Sequence, residues 1–350
     1  MSIDKPKIVI ISGFAGTVGI PVTLKFMEEG YNIIGIDSFV NRVSRTNCFG
    51  EFDDEKHSDR FNRIFNIELD VQRINIEDIL YSLNAYNMHR DGGFGRIEDI
   101  DCIIHLASPA SPLAYKAMPI YTIESNVEGT KRLLEIAHIC RSRKFVFAST
   151  SEIYGKLDKE WFKEEDAGLV TAYGPRSQYD CSKMCGEALV KSYQHNMNAG
   201  IVRIFNTYSE WGGKDDGRVV NNFISRMLEN KDIEIFGSGN QTRAFQYASD
   251  LADGIFKYAQ SDVIEPVNLG NPHEYCSVNE LKYTIMQLLK DEYGISVTSH
   301  TIYKEQMDKD DPRIRRPDIT KAKELLGWEP KVTLKEGLKK VIERYMKRAH

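Results

Sequence analysis

The chain has 350 residues, of which 41% are hydrophobic and 28% charged, and a formal charge of −5. That composition excludes a fibrous or disordered chain and fits one large domain or about two smaller ones. A weak negative balance offers no bulk attraction for nucleic acid or an anionic membrane, so any bound anion must be held by local cations.

The polar start, residues 1–6, runs into an apolar strand too short for a signal segment, and no run of ~18 apolar residues follows. Apolar runs over residues 8–12, 33–37, 64–70, 102–107, 144–149 and 200–205 then alternate with helical patterns over 19–29, 121–140 and 179–196. This alternation predicts an α/β fold, a Rossmann-like doubly wound parallel sheet. Polar insertions over 41–63 and 84–98, the second containing Gly92 to Gly95, read as solvated loops. Beyond residue 205 come short strands (234–236, 266–269) and helices (221–229, 278–293, 334–347), which read as a smaller C-terminal α/β substrate domain. The expected division is a first domain of 1–205, with 243–270 returning to it, and a second of 206–242 and 271–350. The six cysteines, Cys48, Cys102, Cys140, Cys181, Cys185 and Cys276, form no CxxC pair and no cluster at zinc spacing. They read as reduced thiols of a cytoplasmic protein, with no metal.

The first strand ends in Gly13, Gly16, Thr17, Val18 and Gly19, and a helix follows at once. Glycines three apart allow a tight turn, close approach to a pyrophosphate, and helix-on-strand packing, with the helix N-terminus facing the phosphates. Asp37 closes the next strand about 20 residues on, where a carboxylate holds adenosine ribose hydroxyls and repels a 2′-phosphate. The expected cofactor is NAD.

Tyr179 and Lys183 stand four apart in a helical pattern, on one face. A free phenol has a pKa of ~10, and a nearby ammonium favours its ionised form. Tyr179 is thus the candidate base for a substrate hydroxyl, with Lys183 in support. Thr150, just past a strand end, sits at the rim where α/β folds bind ligands.

The GxxGxxG spacing, followed by Thr150, Ser151, Glu152 and the Tyr179/Lys183 pair, resembles the extended short-chain dehydrogenase/reductase family. That resemblance implies that Asp70 and Val71 flank the adenine. It puts Leu106, Ala107 and Ser108 beneath the cofactor, has Asn126 support the site, and has Thr150 hydrogen-bond the reacting hydroxyl. Dehydratases of this family carry Asp where Ser151 stands, so loss of water is disfavoured.

Longer stretches resemble the UDP-glucuronate decarboxylases, also called UDP-xylose synthases. These are residues 105–112, 148–155, 174–180, 203–207, 216–220, 241–247, 267–272 and 311–330, nearly the whole chain. The implied reaction is oxidation at C4, loss of CO2 and re-reduction. Ser151 and Glu152 would stabilise or protonate the intermediate, and Arg176 would contact the carboxylate. Tyr115, Asn206, Val220, Arg243, Tyr247 and Arg315 would surround the rest of the nucleotide sugar. The resemblance also implies a homodimer, through helices 121–140 and 179–196. Ser209, Glu210 and Trp211 depart from the Gly-Pro-Arg usual there, which leaves other sugars open. The alternatives are a 4-oxidase, a 4-epimerase or a 4,6-dehydratase on another nucleotide sugar, and a non-catalytic dinucleotide-binding protein.

Overall fold

The computed structural model describes residues 7–40, 63–88, 95–214, 217–305 and 314–348, apart from the side chains of 85, 86, 88 and 348. Expectations that fall on residues 1–6, 41–62, 89–94, 216 and 311–313 lie outside the described residues.

In chain order the first strands and helices are β1 (Ile8–Ser12), α1 (Gly19–Glu28), β2 (Asn32–Asp37), β3 (Ile64–Glu68), α2 (Ile76–Met88) and β4 (Ile100–His105). Next come α3 (Pro112–Ala117), α4 (Pro119–Ile139), β5 (Lys144–Thr150), β6 (Trp161–Phe162), α5 (Ser177–Tyr193) and β7 (Ala199–Ile204). The later part has β8 (Thr207–Tyr208), α6 (Val219–Leu228), β9 (Ile233–Phe236), β10 (Thr242–Ala244), β11 (Gln246–Tyr247), α7 (Ala248–Gln260) and β12 (Val267–Leu269). It ends with β13 (Tyr275–Ser277), α8 (Val278–Tyr293), β14 (Thr301–Lys304), β15 (Arg316–Pro317), α9 (Thr320–Leu326) and α10 (Leu334–Arg348).

Seven strands form the central sheet in the order β12-β7-β5-β4-β1-β2-β3, and every neighbouring pair is parallel. Such strands are covered on both faces, which is why β1 is an unbroken apolar run with all five residues buried. The two-residue period sends Val9 and Ile11 into one core, with α1 and α7. Ile8 and Ile10 go into the other, with α2, α4 and α5. A third core, under α6, α8 and α10, belongs to the later part of the chain. The strand order reverses between β1 and β4, and at such a switch point a crevice opens at the carboxyl ends of the strands.

The doubly wound sheet agrees with the sequence reading, and the differences are local. Residues 84–88, read as loop, close helix α2, whose Ile79 and Leu83 are spaced to bury one face. Helices α3, α7 and α9 were not anticipated. In α7 the apolar face of Leu251, Ile255 and Tyr258 is interleaved with Asp250, Asp253 and Lys257, which obscured its period. No helix among the described residues is long and apolar enough to cross a membrane.

Candidate active site

One cleft of about 640 Å³ runs from the glycine turn, past the ends of β4 and β5, to residues of α6 and β10 and to Arg315. Gly13, Gly16, Thr17, Val18, Gly19, Asp37, Val71, Leu106, Ala107 and Ser108, the residues expected at the cofactor, line the end at the glycine turn. Thr150, Ser151, Glu152, Tyr179 and Lys183 line the middle, and Tyr115, Arg176, Asn206, Val220, Arg243 and Arg315 the remainder.

The turn needs its glycines. Gly13 has φ +72°, and a Cβ there would meet the Ala107 backbone nitrogen at 2.7 Å, while one on Gly19 would sit 1.9 Å from the Gly13 carbonyl oxygen. At Gly16 an added Cβ meets no atom nearer than 3.3 Å, so that position leaves the turn's face open to the cleft. Asp37 accepts bonds from the backbone N–H of Ala15 (3.2 Å) and Phe39 (2.8 Å). Burial raises its pKa and those two bonds oppose the rise. The buried Ser108 hydroxyl has no hydrogen-bond partner among the described residues. An open glycine turn, the Asp37 carboxylate and the Ser108 hydroxyl at one cleft end fit a dinucleotide.

Three expected contacts lie off the cleft. Asp70 turns to Tyr121, whose hydroxyl donates to it at 2.8 Å, so Tyr121 rather than Asp70 faces the cleft. Asn126 is fully buried behind the site, its amide donating to Ser182 Oγ at 2.9 Å; from there it braces α5 against α4. Tyr247 packs edge-on against Tyr208 and donates to Glu210 at 2.5 Å. That bond turns it into the core of the later part, and Phe245 takes the lining position instead.

Helix α5 places Tyr179 and Lys183 one turn apart, with the ammonium 6.0 Å from the phenol ring centroid. Tyr115 stacks on Tyr179 at 5.2 Å. Burial pushes the phenol above its ordinary pKa, opposed by a hydrogen bond with Thr150. It also pushes Lys183 down to about 7, against the pull of Glu187. Lys183 donates to the Ala148 carbonyl at 2.8 Å. Burial thus favours the neutral form of both groups.

Thr150 ends β5 and accepts from the Glu152 N–H at 3.2 Å, which fixes the turn that carries Ser151 and Glu152. Burial would raise the Glu152 pKa, but Arg315, Arg176 and Arg243 outweigh it and hold the group below its usual value. Arg315 grips both carboxylate oxygens, Arg176 pairs with Oε2, and Arg176 also reaches Asp180 at 3.6 Å. In this geometry Glu152 orders two guanidinium groups beside Tyr179.

Sequence reasoning missed several lining residues, among them Arg218, Arg226, Phe236 and Phe245. Arg218 bonds the Thr17 hydroxyl across 201 positions of chain. The stretch 216–220 carried part of the family resemblance, but nothing local announced the contact. The unusual Ser209-Glu210-Trp211 segment does not line the cleft. Ser209 donates to the Thr17 carbonyl at 2.9 Å, and Arg344 covers Trp211 at 3.7 Å.

Residues 9–270 match the model of the NAD dependent epimerase/dehydratase family. The chain belongs to this family. Its cofactor is accordingly NAD, which the cleft's glycine end fits. Among its relatives, UDP-glucuronic acid decarboxylase 1 of Xenopus tropicalis is 38% identical over 97% of this chain and 72% of its own length. UDP-glucuronic acid decarboxylase 4 of Arabidopsis thaliana is 36% identical over 97% and 69%. Among solved structures, UDP-glucose 4-epimerase with UDP-glucose from Thermotoga maritima superposes with a TM-score of 0.78 at 26% identity, covering 98% of this chain and all (100%) of the other.

Proposed function

We propose that the chain is an NAD-dependent UDP-glucuronate decarboxylase that forms UDP-xylose. The observation that carries this reading is the pair of guanidinium groups, Arg176 and Arg315, converging on Glu152 beside Tyr179, an arrangement suited to a substrate that brings its own carboxylate. Relatives named as UDP-glucuronic acid decarboxylases, similar along 97% of the chain, support it.

NAD, when bound, supplies a hydride acceptor and a positive ring charge, and later returns the hydride. Tyr179 takes the proton from the sugar C4 hydroxyl, which Thr150 orients. With a ketone at C4, the C5 carboxylate is a β-keto acid. Its C5–carboxyl bond breaks, CO2 leaves, and the electron pair moves to the C4 oxygen as an enolate. C5 takes a proton from solvent, and Tyr179 returns its proton as C4 is reduced. Ser151 carries no acid, which disfavours expulsion of water from C6. Arg176 and Arg315 offset the negative charge, and Arg243, with Asn206 and Val220, lines the part of the cleft assigned to the nucleotide.

The same reading assigns residues 1–205 and 243–270 to the cofactor and 206–242 with 271–350 to the nucleotide sugar. A cytoplasmic homodimer completes it. Five described cysteines are free thiols, and Ile120 and Ile123 on α4 and Met184 on α5 expose apolar surface. The test is incubation of the NAD-loaded protein with UDP-glucuronate while CO2 and nicotinamide absorbance are followed. The expected result is CO2 without net NADH, with Tyr179→Phe slower by roughly 10²- to 10⁴-fold. No CO2 from UDP-glucuronate would overturn the assignment, and NADH in step with CO2 would end the reaction at the keto-sugar.

A further inference from the structure

Arg315, which grips Glu152 inside the cleft, is followed by Arg316, which opens β15 and meets residues that do not line the cleft. The Arg316 guanidinium lies 4.0 Å from the ring centroid of Trp161 on β6 and 4.9 Å from that of Tyr275 on β13. Its Nε donates to the Pro272 carbonyl at 3.0 Å, and an outer nitrogen pairs with Glu160 at 2.8 Å. A guanidinium over one aromatic ring, close to a second and hydrogen-bonded at two nitrogens is confined in position. Arg315 is the residue immediately before β15, so holding Arg316 holds the backbone from which the Arg315 side chain departs.

The surrounding backbone carries the constraint further. β15 is two residues long and pairs in parallel with β6, Arg316 opposite Trp161. Tyr275 lies opposite Ala244 on the strand that also carries Arg243, and the Ala244 N–H donates to the Arg315 carbonyl at 3.3 Å. One guanidinium thus stitches together β6, β13 and β15, and through β10 it abuts both cleft arginines. Strands this short hold little orientation by themselves.

We propose that Trp161, Arg316 and Tyr275 form a clamp that positions Arg315, and through the adjoining strand Arg243, for the nucleotide sugar. They are positioning residues: none of the three lines the cleft. The partly exposed Trp161, 41% accessible, is then retained for its grip on the arginine and not for core packing.

The inference rests on the UDP-sugar reading, and a test by UDP binding separates the two. Calorimetry with UDP and steady-state rates with UDP-glucuronate would be measured for Trp161→Ala, Trp161→Phe, Arg316→Lys and Arg315→Ala, and for the Trp161→Ala/Arg315→Ala double variant. Trp161→Ala and Arg316→Lys are expected to weaken UDP binding and to raise KM by roughly 5- to 30-fold, the loss expected for one or two weak contacts, with Trp161→Phe restoring most of it. In the Arg315→Ala background, Trp161→Ala is expected to cost far less. A Trp161→Ala effect of the same size with and without Arg315, or no effect on UDP binding, overturns the clamp. If Trp161→Ala does not fold, Arg316→Lys, which keeps the charge and loses the planar stack, decides alone. Wild-type protein that binds UDP but releases no CO2 refutes the decarboxylase reading and leaves the clamp to the binding data.

Discussion

Lys183 carries the least expected electrostatics of the site. Its spacing from Tyr179 suggested a permanent ammonium, yet its surroundings are the Phe147 ring at 4.8 Å, a backbone carbonyl and buried walls. Burial lowers its pKa to about 7 from 10.5. Between those values the unfolded chain holds a proton that the folded chain does not, so the folded state gains stability as pH rises from about 7 toward 10.5. Lys144, pushed down to about 8 by burial, acts in the same direction over a narrower window. The melting temperature of ligand-free protein is therefore expected to rise between pH 7 and 9, and to rise less in Lys183→Met. Parallel profiles for the two proteins would contradict this account.

At the scale of elements, the glycine turn couples a local backbone rule to a tertiary contact. Gly13 is forced by its positive φ and by Ala107 on the neighbouring strand's extension, whereas Gly19 is forced because helix α1 starts against the Gly13 carbonyl. Gly19→Ala pushes a methyl group to 1.9 Å from that oxygen, so turn and helix must separate. Titration with NAD is expected to show affinity weakened by roughly tenfold or more, a cost of about 1.4 kcal/mol or above. Unchanged affinity would mean that the turn relaxes freely. The same turn is held from the far side by Ser209 and Arg218, both contacting Thr17. The departure at Ser209, Glu210 and Trp211 thus bears on the frame of the glycine turn, through Ser209, and not on the lining of the cleft.

For the whole molecule, the sheet's two cores leave α4 and α5 packed on each other, with Ile120 65%, Ile123 41% and Met184 44% exposed. Light scattering is expected to give twice the 40.0 kDa chain mass, and the monomer mass would refute the dimer. Cysteine-reactive labelling of the exposed Cys185 on α5 should then slow as the protein is concentrated through its dimerisation range.

How much of this was legible depends on the range of the interaction concerned. The parallel sheet and the glycine turn follow from residues near one another in the chain, since apolar period, strand–turn–helix order and glycine spacing are set by local backbone geometry. So does the one-turn placement of Tyr179 and Lys183. Sequence alone therefore determined the α/β class, a dinucleotide turn and a candidate base. The ionisation of that base's neighbours, the two arginines clasping Glu152 and the removal of Asp70 and Tyr247 from the cleft wall were decided only by tertiary structure. Arg315 meets Glu152 across 163 positions, and burial, which moves Tyr179 up and Lys183 down, is the sum of every element packed around them. Charge energies depend on what surrounds a group in space, and only the folded chain specifies those surroundings.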